Sequence, residues 1–390
     1  MQKTISQSYN ATAIAVSVGL SHLLLEMSQN FLPVIYPRLI EQMGLTYSRI
    51  GTLALLIGIF GALTQPLFGL WSDRWDARWI VVLSIAWIGL FMGIVGFIDQ
   101  YWLLAVVVSL GSLGSAAYHP AGASLASAVG KEIRGRAMSI FSVCGSLGAT
   151  LSPILISLTL IWFDLRGTAV LLLIGFAGAF FLYTQFTPHP QLAAGGNEPA
   201  STALPRQRGA WLPIILVIVY AAARSWVQGS LTTYLPEWLE SGGRSIEAAG
   251  FLLSLLFVGV AVGGLAGGTL SDYIGRVTIV IVSMAALPPL LWLFFNTTGL
   301  LQTTFLFLIG LMIGNTFPVA ILMAQEAWPS AVGLAASLVI GLGWLPAGLG
   351  SWVVGRIADQ TSLTLALSTL TFVPLIGLGA AVVFRWQVKP

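Results

Sequence analysis

The chain has 390 residues, of which 57% are hydrophobic and only 8% are charged, and its formal net charge is +3. Soluble domains carry about 25% charged residues, so this composition excludes a globule in water and requires a bilayer. The chain contains no run of lysine or arginine, which argues against a nucleic-acid partner, and its single cysteine, Cys144, excludes an internal disulfide.

Twelve apolar runs are long enough to cross a bilayer as helices, which takes roughly 20 residues each. We predict spans at 12–40, 47–71, 79–98, 101–127, 136–163, 167–186, 211–238, 247–270, 277–296, 300–327, 331–355 and 362–385. No small-residue cleavage site follows the first run, so we expect a membrane helix there rather than a cleaved signal peptide. The sequence thus predicts an all-α membrane protein with twelve transmembrane helices.

The first predicted helix carries polar side chains along one face. His22, Glu26 and Asn30 follow one another at intervals of four residues, which places them on the same side of a helix. An acidic group at the helix centre costs roughly 2.5–3.5 kcal/mol on insertion scales, so this side should face a polar cavity. We expect Glu26, together with His22, to carry protons. A structural His–Glu hydrogen bond within the bundle is the alternative.

The fourth predicted helix contains the dipeptide Tyr118-His119 immediately before Pro120. A proline inside a helix removes a backbone hydrogen bond and frees carbonyl groups for other partners. We expect Tyr118 and His119 to contact the substrate, and His119 would otherwise be a hydrogen-bonded packing histidine. In the fifth helix, Gly145 and Gly148 favour close helix packing.

The longest hydrophilic break, 187–210, separates two halves of six helices each. We therefore predict an N-terminal bundle at 1–186, a cytoplasmic linker at 187–210 and a C-terminal bundle at 211–390. Identical residues recur between the halves at a constant offset of 199 positions. The pairs are Pro37 and Pro236, Glu41 and Glu240, Gly44 and Gly243, Gly51 and Gly250, Gly69 and Gly268, Ser72 and Ser271, and Asp73 and Asp272. Such a parallel duplication predicts two pseudo-symmetric bundles.

In the seventh predicted helix, Arg224 is the only lysine or arginine deep within a span, and Gln228 lies one turn further on. Arginine binds carboxylate, phosphate or phosphonate groups in a bidentate manner. We expect Arg224 and Gln228, with Asn30 of the first half, to bind substrate. The alternative role for Arg224 is that of a buried counter-ion to Glu26, since the two positions nearly coincide in the repeat.

The loop after the second helix of each half resembles the G-x-L-x-D-R/Y-x-G-R loop of the major facilitator superfamily. The residues that carry this resemblance are Asp73, Arg74 and Arg78 in the first copy and Asp272 and Arg276 in the second. The resemblance implies the major facilitator fold, alternating access between the two halves, and a gating role for these five residues. An ordinary solvated turn is the alternative.

Four further stretches are similar to the fosmidomycin-resistance branch of that superfamily. They are Ser21-His22 with Glu26, Tyr118-His119-Pro120, the stretch from Arg134 to Pro153, and Ala324-Gln325-Glu326 with Pro329. Ala121 stands where that branch commonly has an acidic residue. The likeness implies a proton-coupled exporter, or antiporter, of a small anionic or amphiphilic compound such as a fosmidomycin-like antibiotic. A uniporter or importer, or a non-transporting membrane receptor, remains the alternative.

We expect no cofactor, with the proton gradient as the energy source, no metal site, no enzymatic activity and a monomer. The expected partners are the bilayer, protons and a small molecule. Lysine and arginine are more frequent in the loops on the side of the N-terminus, by eleven to five. This bias predicts that both termini lie in the cytoplasm, with the chain in a bacterial inner membrane.

Overall fold

The computed structural model describes residues 2–72, 75–129, 133–187, 211–329 and 332–387. Within these ranges the regular structure is helical and contains no strand, so the predicted all-α fold is confirmed. The helices are α1 (Gln2–Gln29), α2 (Leu32–Met43), α3 (Tyr47–Ser72), α4 (Ala77–Gly93), α5 (Tyr101–Ala128), α6 (Arg134–Phe163), α7 (Val170–Phe186), α8 (Trp211–Ser241), α9 (Ile246–Ile274), α10 (Arg276–Asn296), α11 (Gly299–Ala327), α12 (Val332–Gln360), α13 (Leu363–Ser368) and α14 (Val373–Gln387).

Ten stretches of the described residues are long and apolar enough to cross a membrane. One of them, Arg134–Phe186, has 53 residues and comprises α6 and α7, joined by the 3-10 turn Asp164–Ala169. A crossing takes roughly 20 residues, so this stretch is long enough for two. The first predicted span corresponds to α1 and α2, because the helix is interrupted at Asn30 and Phe31.

The chain forms two compact units, residues 1–43 with 59–198 and residues 44–58 with 199–390. The predicted boundaries at 186 and 211 remain a prediction. The structure assigns the beginning of α3 to the second unit, where the Asp359 carboxylate accepts hydrogen bonds from the backbone N–H groups of Tyr47 at 2.7 Å and Ser48 at 3.1 Å. A carboxylate at a helix N-terminus satisfies amide groups that have no partner within the helix.

In the first unit, α1 packs along α6, and α4 contacts both α5 and α7. Small residues allow the close approach of α1 and α6. A Cβ atom at Gly148 would collide with the backbone of Leu23, and the Ser152 hydroxyl donates a hydrogen bond to the Met27 carbonyl at 2.6 Å. Small residues of this kind let helix backbones pack directly in a bilayer.

In the second unit, α8 packs along α12 and α9 packs along α11. Because α8 and α12 correspond to α1 and α6 under the 199-residue offset, the same helix pairing occurs in both halves of the repeat. Glycines permit the contact of α9 with α11, since a Cβ atom at Gly263 would meet the Leu311 backbone and one at Gly314 would meet that of Val260. Each unit is therefore held together by glycine-mediated helix packing.

Candidate functional site

Glu26 lies in the last turn of α1, just before the helix is interrupted. One carboxylate oxygen, Oε2, accepts hydrogen bonds from the side-chain amides of Gln29 at 2.9 Å and Asn30 at 2.8 Å. The Asn30 amide also donates to the Glu26 carbonyl at 2.9 Å, which satisfies a backbone acceptor at the helix end. Asn30 therefore binds Glu26 in this structure, and the predicted substrate contact of Asn30 is untested.

The other carboxylate oxygen of Glu26, Oε1, faces two histidine rings. It lies 3.4 Å from His22 Nε2 on the same helix and 3.6 Å from His119 Nε2 on α5. One ring nitrogen of each histidine and one carboxylate oxygen of Glu26 all lie within 4.8 Å of one another. These atoms are close enough to share one proton. Only a small fraction of the Glu26 and His22 side chains is exposed, so this proton would be held largely away from water.

The hydrogen bond on the far side of the His22 ring constrains where a proton can reside. His22 Nδ1 lies 2.8 Å from the backbone carbonyl of Phe141, which can only accept, so we assign the Nδ1 proton to that bond. In a neutral ring, Nε2 would then present a lone pair to the Glu26 oxygen. Two acceptors 3.4 Å apart repel each other unless a proton lies between them. The geometry therefore favours one bound proton on the Glu26–His22 pair.

Aromatic and hydroxyl groups support both histidines. The His22 ring stacks on Phe141 at a centroid distance of 4.1 Å, and Ser115 Oγ lies 3.3 Å from His119 Nε2. Tyr118 is fully buried, and its hydroxyl is within 2.7 Å of Ser21 Oγ. From this position Tyr118 packs against the histidine rings, while the predicted contact of Tyr118 with substrate is untested.

The second candidate site surrounds Arg224 on α8. This side chain is 2% exposed, and its Nη1 donates a hydrogen bond to Gln228 Oε1 at 2.7 Å. Its guanidinium carbon lies 5.3 Å from the ring centroid of Phe317 on α11 and 5.1 Å from that of Trp344 on α12. Among the described residues, Arg224 forms no salt bridge and its Nε has no hydrogen-bond partner. A buried guanidinium with aromatic neighbours and no carboxylate is suited to binding an anion.

Of the predicted gating residues in the first half, Asp73 and Arg74 lie outside the described residues. Arg78 is buried and its Nη2 binds Asp76 Oδ2 at 2.6 Å. Its Nη1 donates to the carbonyl of Phe186 at 3.1 Å, and Asp76 caps the N-terminus of α4. Arg78 therefore connects the beginning of α4 to the end of α7.

In the second half, Asp272 lies in the last turn of α9 and Arg276 begins α10. The Arg276 guanidinium forms an ion pair with Glu326 near the end of α11. These three side chains line one pocket of the second unit. The gating role of Asp272 and Arg276 is untested, and the ion pair provides an observable contact through which to test it.

Replacement of Arg78 by Met is expected to lower the thermal stability of the protein. It leaves the Asp76 carboxylate and the last carbonyl of α7 without their partner, at a cost of about 1–3 kcal/mol. Thermal unfolding of the purified protein in detergent measures this loss. The matched control is Arg38→Met, because the Arg38–Glu41 pair is exposed and such pairs contribute less than about 1 kcal/mol. Equal midpoints for the two variants would contradict the prediction.

Several members of these sites had no signal in the sequence. Gln29 and Ser115 are common polar residues within apolar helices, while Phe141, Phe317 and Trp344 are aromatic residues of a kind found throughout this chain. Gln29 and Ser115 contact Glu26 and His119 within their own helices, three and four residues away, whereas only packing between helices distinguishes the three aromatic residues. The local signals that pointed directly to contacts now observed were the four-residue spacings of His22 with Glu26, of Glu26 with Asn30, and of Arg224 with Gln228.

The amino-acid sequence and the fold of this chain are similar to those of known membrane proteins. The chain is 27% identical over 378 residues to the fosmidomycin resistance protein of Escherichia coli, covering 93% of this chain and 90% of the relative. It is 22% identical over 408 residues to the membrane sensor protein UhpC of the same species, covering 93% and 91%. A crystal structure of a variant of the nucleoside transporter NupG superposes with a TM-score of 0.79 at 15% identity, covering 96% of this chain and 100% of that one.

Because the sequence identity to the NupG variant is only 15%, the structural likeness establishes the fold and nothing further. The profile of the Major Facilitator Superfamily matches residues 18–351, which is most of the chain. The predicted resemblance to the fosmidomycin-resistance branch is also confirmed by the E. coli relative. This chain is therefore an integral membrane protein of the Major Facilitator Superfamily, a family of transporters.

Proposed function

We propose that this protein is a proton-coupled exporter, an antiporter that exchanges protons for a small anionic or amphiphilic compound by alternating access. The observation that carries the proposal is the pair of acceptor atoms, His22 Nε2 and Glu26 Oε1, 3.4 Å apart. This pair favours one bound proton, and releasing that proton leaves it destabilised. A site whose stability changes with one proton can couple transport to a proton gradient.

The charge of the first site changes with the proton. When Glu26 and His22 share one proton, the pair is neutral overall, as glutamate and imidazolium or as glutamic acid and imidazole. When the proton leaves, a carboxylate remains whose Oε2 is held by Gln29 and Asn30. We assign to the half-buried His119 the role of receiving or delivering the proton, because its Nε2 lies 3.6 Å from the other carboxylate oxygen, Oε1.

The cargo is proposed to bind at Arg224. This residue has no acidic partner in the described part of the chain, so its charge is available for an anion. A relative carries fosmidomycin resistance in its name. Fosmidomycin is a phosphonate, and guanidinium groups bind such groups well. This makes fosmidomycin a suitable first cargo for a test, and drug resistance by efflux the corresponding role in the cell.

The test is uptake of radiolabelled fosmidomycin by proteoliposomes with an imposed pH gradient, the membrane potential being clamped with valinomycin and potassium. An antiporter accumulates cargo when the lumen is acidic, because protons then leave as cargo enters. Accumulation with an alkaline lumen would indicate symport and refute export by exchange. Equilibration without accumulation under either gradient would indicate a uniporter. Protein-free liposomes measure the leak.

Gly145→Ala is expected to reduce gradient-driven transport by about tenfold to a hundredfold, since small misplacements of reacting groups have effects of this size. A Cβ atom at Gly145 would lie 2.5 Å from His22 Nδ1, so the ring must move away from Glu26 or lose its bond to Phe141. Uptake is compared with that of Gly135→Ala on the same helix, where an added Cβ meets nothing within 4 Å. Unchanged coupling in Gly145→Ala would show that the position of His22 is not required.

A receptor is the second candidate, because one relative is named a membrane sensor protein. Binding of cargo in detergent without flux in proteoliposomes would favour it. We further propose a monomer in a bacterial inner membrane. The excess of lysine and arginine in the loops on the side of the N-terminus supports the proposal that both termini lie in the cytoplasm. Protease protection of tags at each terminus in spheroplasts tests that orientation.

A further inference from the structure

The Arg224 site has two aromatic walls in addition to its charge. The Phe317 and Trp344 rings lie 6.0 Å apart between centroids with an interplanar angle of 66°. Both rings are close to the guanidinium, at 5.3 and 5.1 Å. Trp344 is 36% exposed even though Arg224 is buried, so part of its indole surface is not covered by other residues of the described chain. The guanidinium of Arg224 therefore lies close to both rings, at the angle between Phe317 and Trp344 that we call the corner.

The guanidinium has unused hydrogen-bonding capacity. Gln228 accepts one hydrogen bond from Nη1, while the Nε–H group is buried without a hydrogen-bond partner among the described residues. A buried donor without an acceptor is destabilising, so an anion that reaches Nε recovers a bond that the protein alone does not make. The adjacent Nε–H and Nη N–H groups of an arginine match the two oxygens of a carboxylate.

The charge of the site selects for one negative charge. In this part of the second unit, Arg224 is the only lysine or arginine deep within a predicted span. A monoanion and Arg224 together form a neutral pair, whereas a dianion would leave one uncompensated charge in an apolar environment, which is costly. Carboxylates therefore fit the site better than fully ionised phosphonates.

The walls select for a flat, unsaturated body. A planar ring placed in the corner presents its face to one wall and its edge to the other, which are the arrangements that aromatic quadrupoles favour. A saturated ring of the same size buries similar area but lacks this electrostatic match. We propose that the cargo of this protein is a small aromatic monocarboxylate, held by Arg224 and seated against Phe317 and Trp344. This inference rests on the proposed function, because it names the substrate class of that same site.

The test compares benzoate with cyclohexanecarboxylate, which have the same charge and nearly the same size, by isothermal titration calorimetry of the purified protein in nanodiscs. Benzoate is expected to bind about three- to tenfold more tightly. Phenylphosphonate at a pH where it is a dianion is expected to bind more weakly than benzoate. Equal affinities for the two carboxylates, no binding of either, or tighter binding of phenylphosphonate would each overturn the inference.

Phe317→Leu is expected to bring the ratio of the two carboxylate affinities close to one, because it weakens the binding of benzoate more than that of cyclohexanecarboxylate. The matched control is Phe305→Leu, a half-buried position earlier on the same helix, which should keep the parent's ratio. Trp344→Leu provides a second variant with the same expected effect if Phe317→Leu does not fold. A ratio that survives in both wall variants would overturn the inference.

Failure of this inference is distinguishable from failure of the proposed function. Selective binding of benzoate without gradient-driven flux would support the aromatic binding site and contradict the proposal that the protein is a transporter. Gradient-driven flux of fosmidomycin with no preference for benzoate over cyclohexanecarboxylate would uphold the transporter and refute the aromatic substrate class.

Discussion

Glu26→Gln is expected to abolish proton-driven accumulation of cargo while exchange of cargo across the membrane continues. Glutamine has nearly the same shape as protonated glutamate, and its amide oxygen can still accept from Gln29 and Asn30. Its amide nitrogen can donate to the lone pair on His22 Nε2, 3.4 Å away in the parent. The variant is therefore locked in the equivalent of the proton-loaded state.

The size of this effect follows from the driving force. A pH gradient of one unit supplies about 1.4 kcal/mol per proton, which corresponds to a tenfold concentration ratio for one proton per cargo molecule. In potential-clamped proteoliposomes the parent should reach about a tenfold ratio of internal to external cargo. In the Glu26→Gln variant this concentration ratio should stay at one. Counterflow of labelled against unlabelled cargo, measured without a gradient, should remain in the variant.

The matched control is Glu41→Gln on α2, which removes an exposed carboxylate that pairs only with Arg38 among the described ion pairs. This variant should accumulate cargo as the parent does. If Glu26→Gln concentrates cargo to the parent's ratio, the proton is carried elsewhere and the coupling proposal is wrong. If counterflow disappears as well, Glu26 is needed for the transport cycle itself and not only for coupling.

Arg224→Gln is expected to weaken anion binding by about 10- to 150-fold, because hydrogen bonds to charged groups contribute about 1.5–3 kcal/mol. The substitution removes the charge and the Nε–H group, and it separates the remaining amide from Phe317 and Trp344. Calorimetric titration with benzoate measures the loss. Transport at cargo concentrations below the dissociation constant should fall by the same factor.

Two further arginine variants separate charge from geometry. Arg224→Lys keeps the charge but lacks the planar fork, so it should bind more tightly than Arg224→Gln and less tightly than the parent. The matched control is Arg356→Gln, because Arg356 also lies over an indole ring, that of Trp352 at 5.8 Å. This control variant should bind benzoate as tightly as the parent. Full benzoate affinity in Arg224→Gln would show that the anion binds elsewhere.

Local sequence pattern was sufficient for the helices and for the pairing of His22 with Glu26. A bilayer demands about 20 apolar residues per crossing and satisfies backbone groups only within helices, so composition alone leaves one class of fold. A spacing of four residues brings side chains together on any helix. The predicted contact of His22 and Glu26 is observed for this reason. The first predicted span nevertheless missed the interruption at Asn30 and Phe31, where the Asn30 side chain adds hydrogen bonds to Glu26.

The rest depended on the tertiary structure. His119 reaches Glu26 from another helix, Arg78 reaches the last carbonyl of α7, and Phe317 and Trp344 flank Arg224 from two different helices. Each contact depends on how far one helix is rotated and shifted against another. In a bilayer, apolar faces gain little from turning inward, because lipid is as apolar as the protein interior. Sequence therefore determined which segments cross the membrane and which groups are costly there, and the packing of the helices against one another decided which of those groups meet.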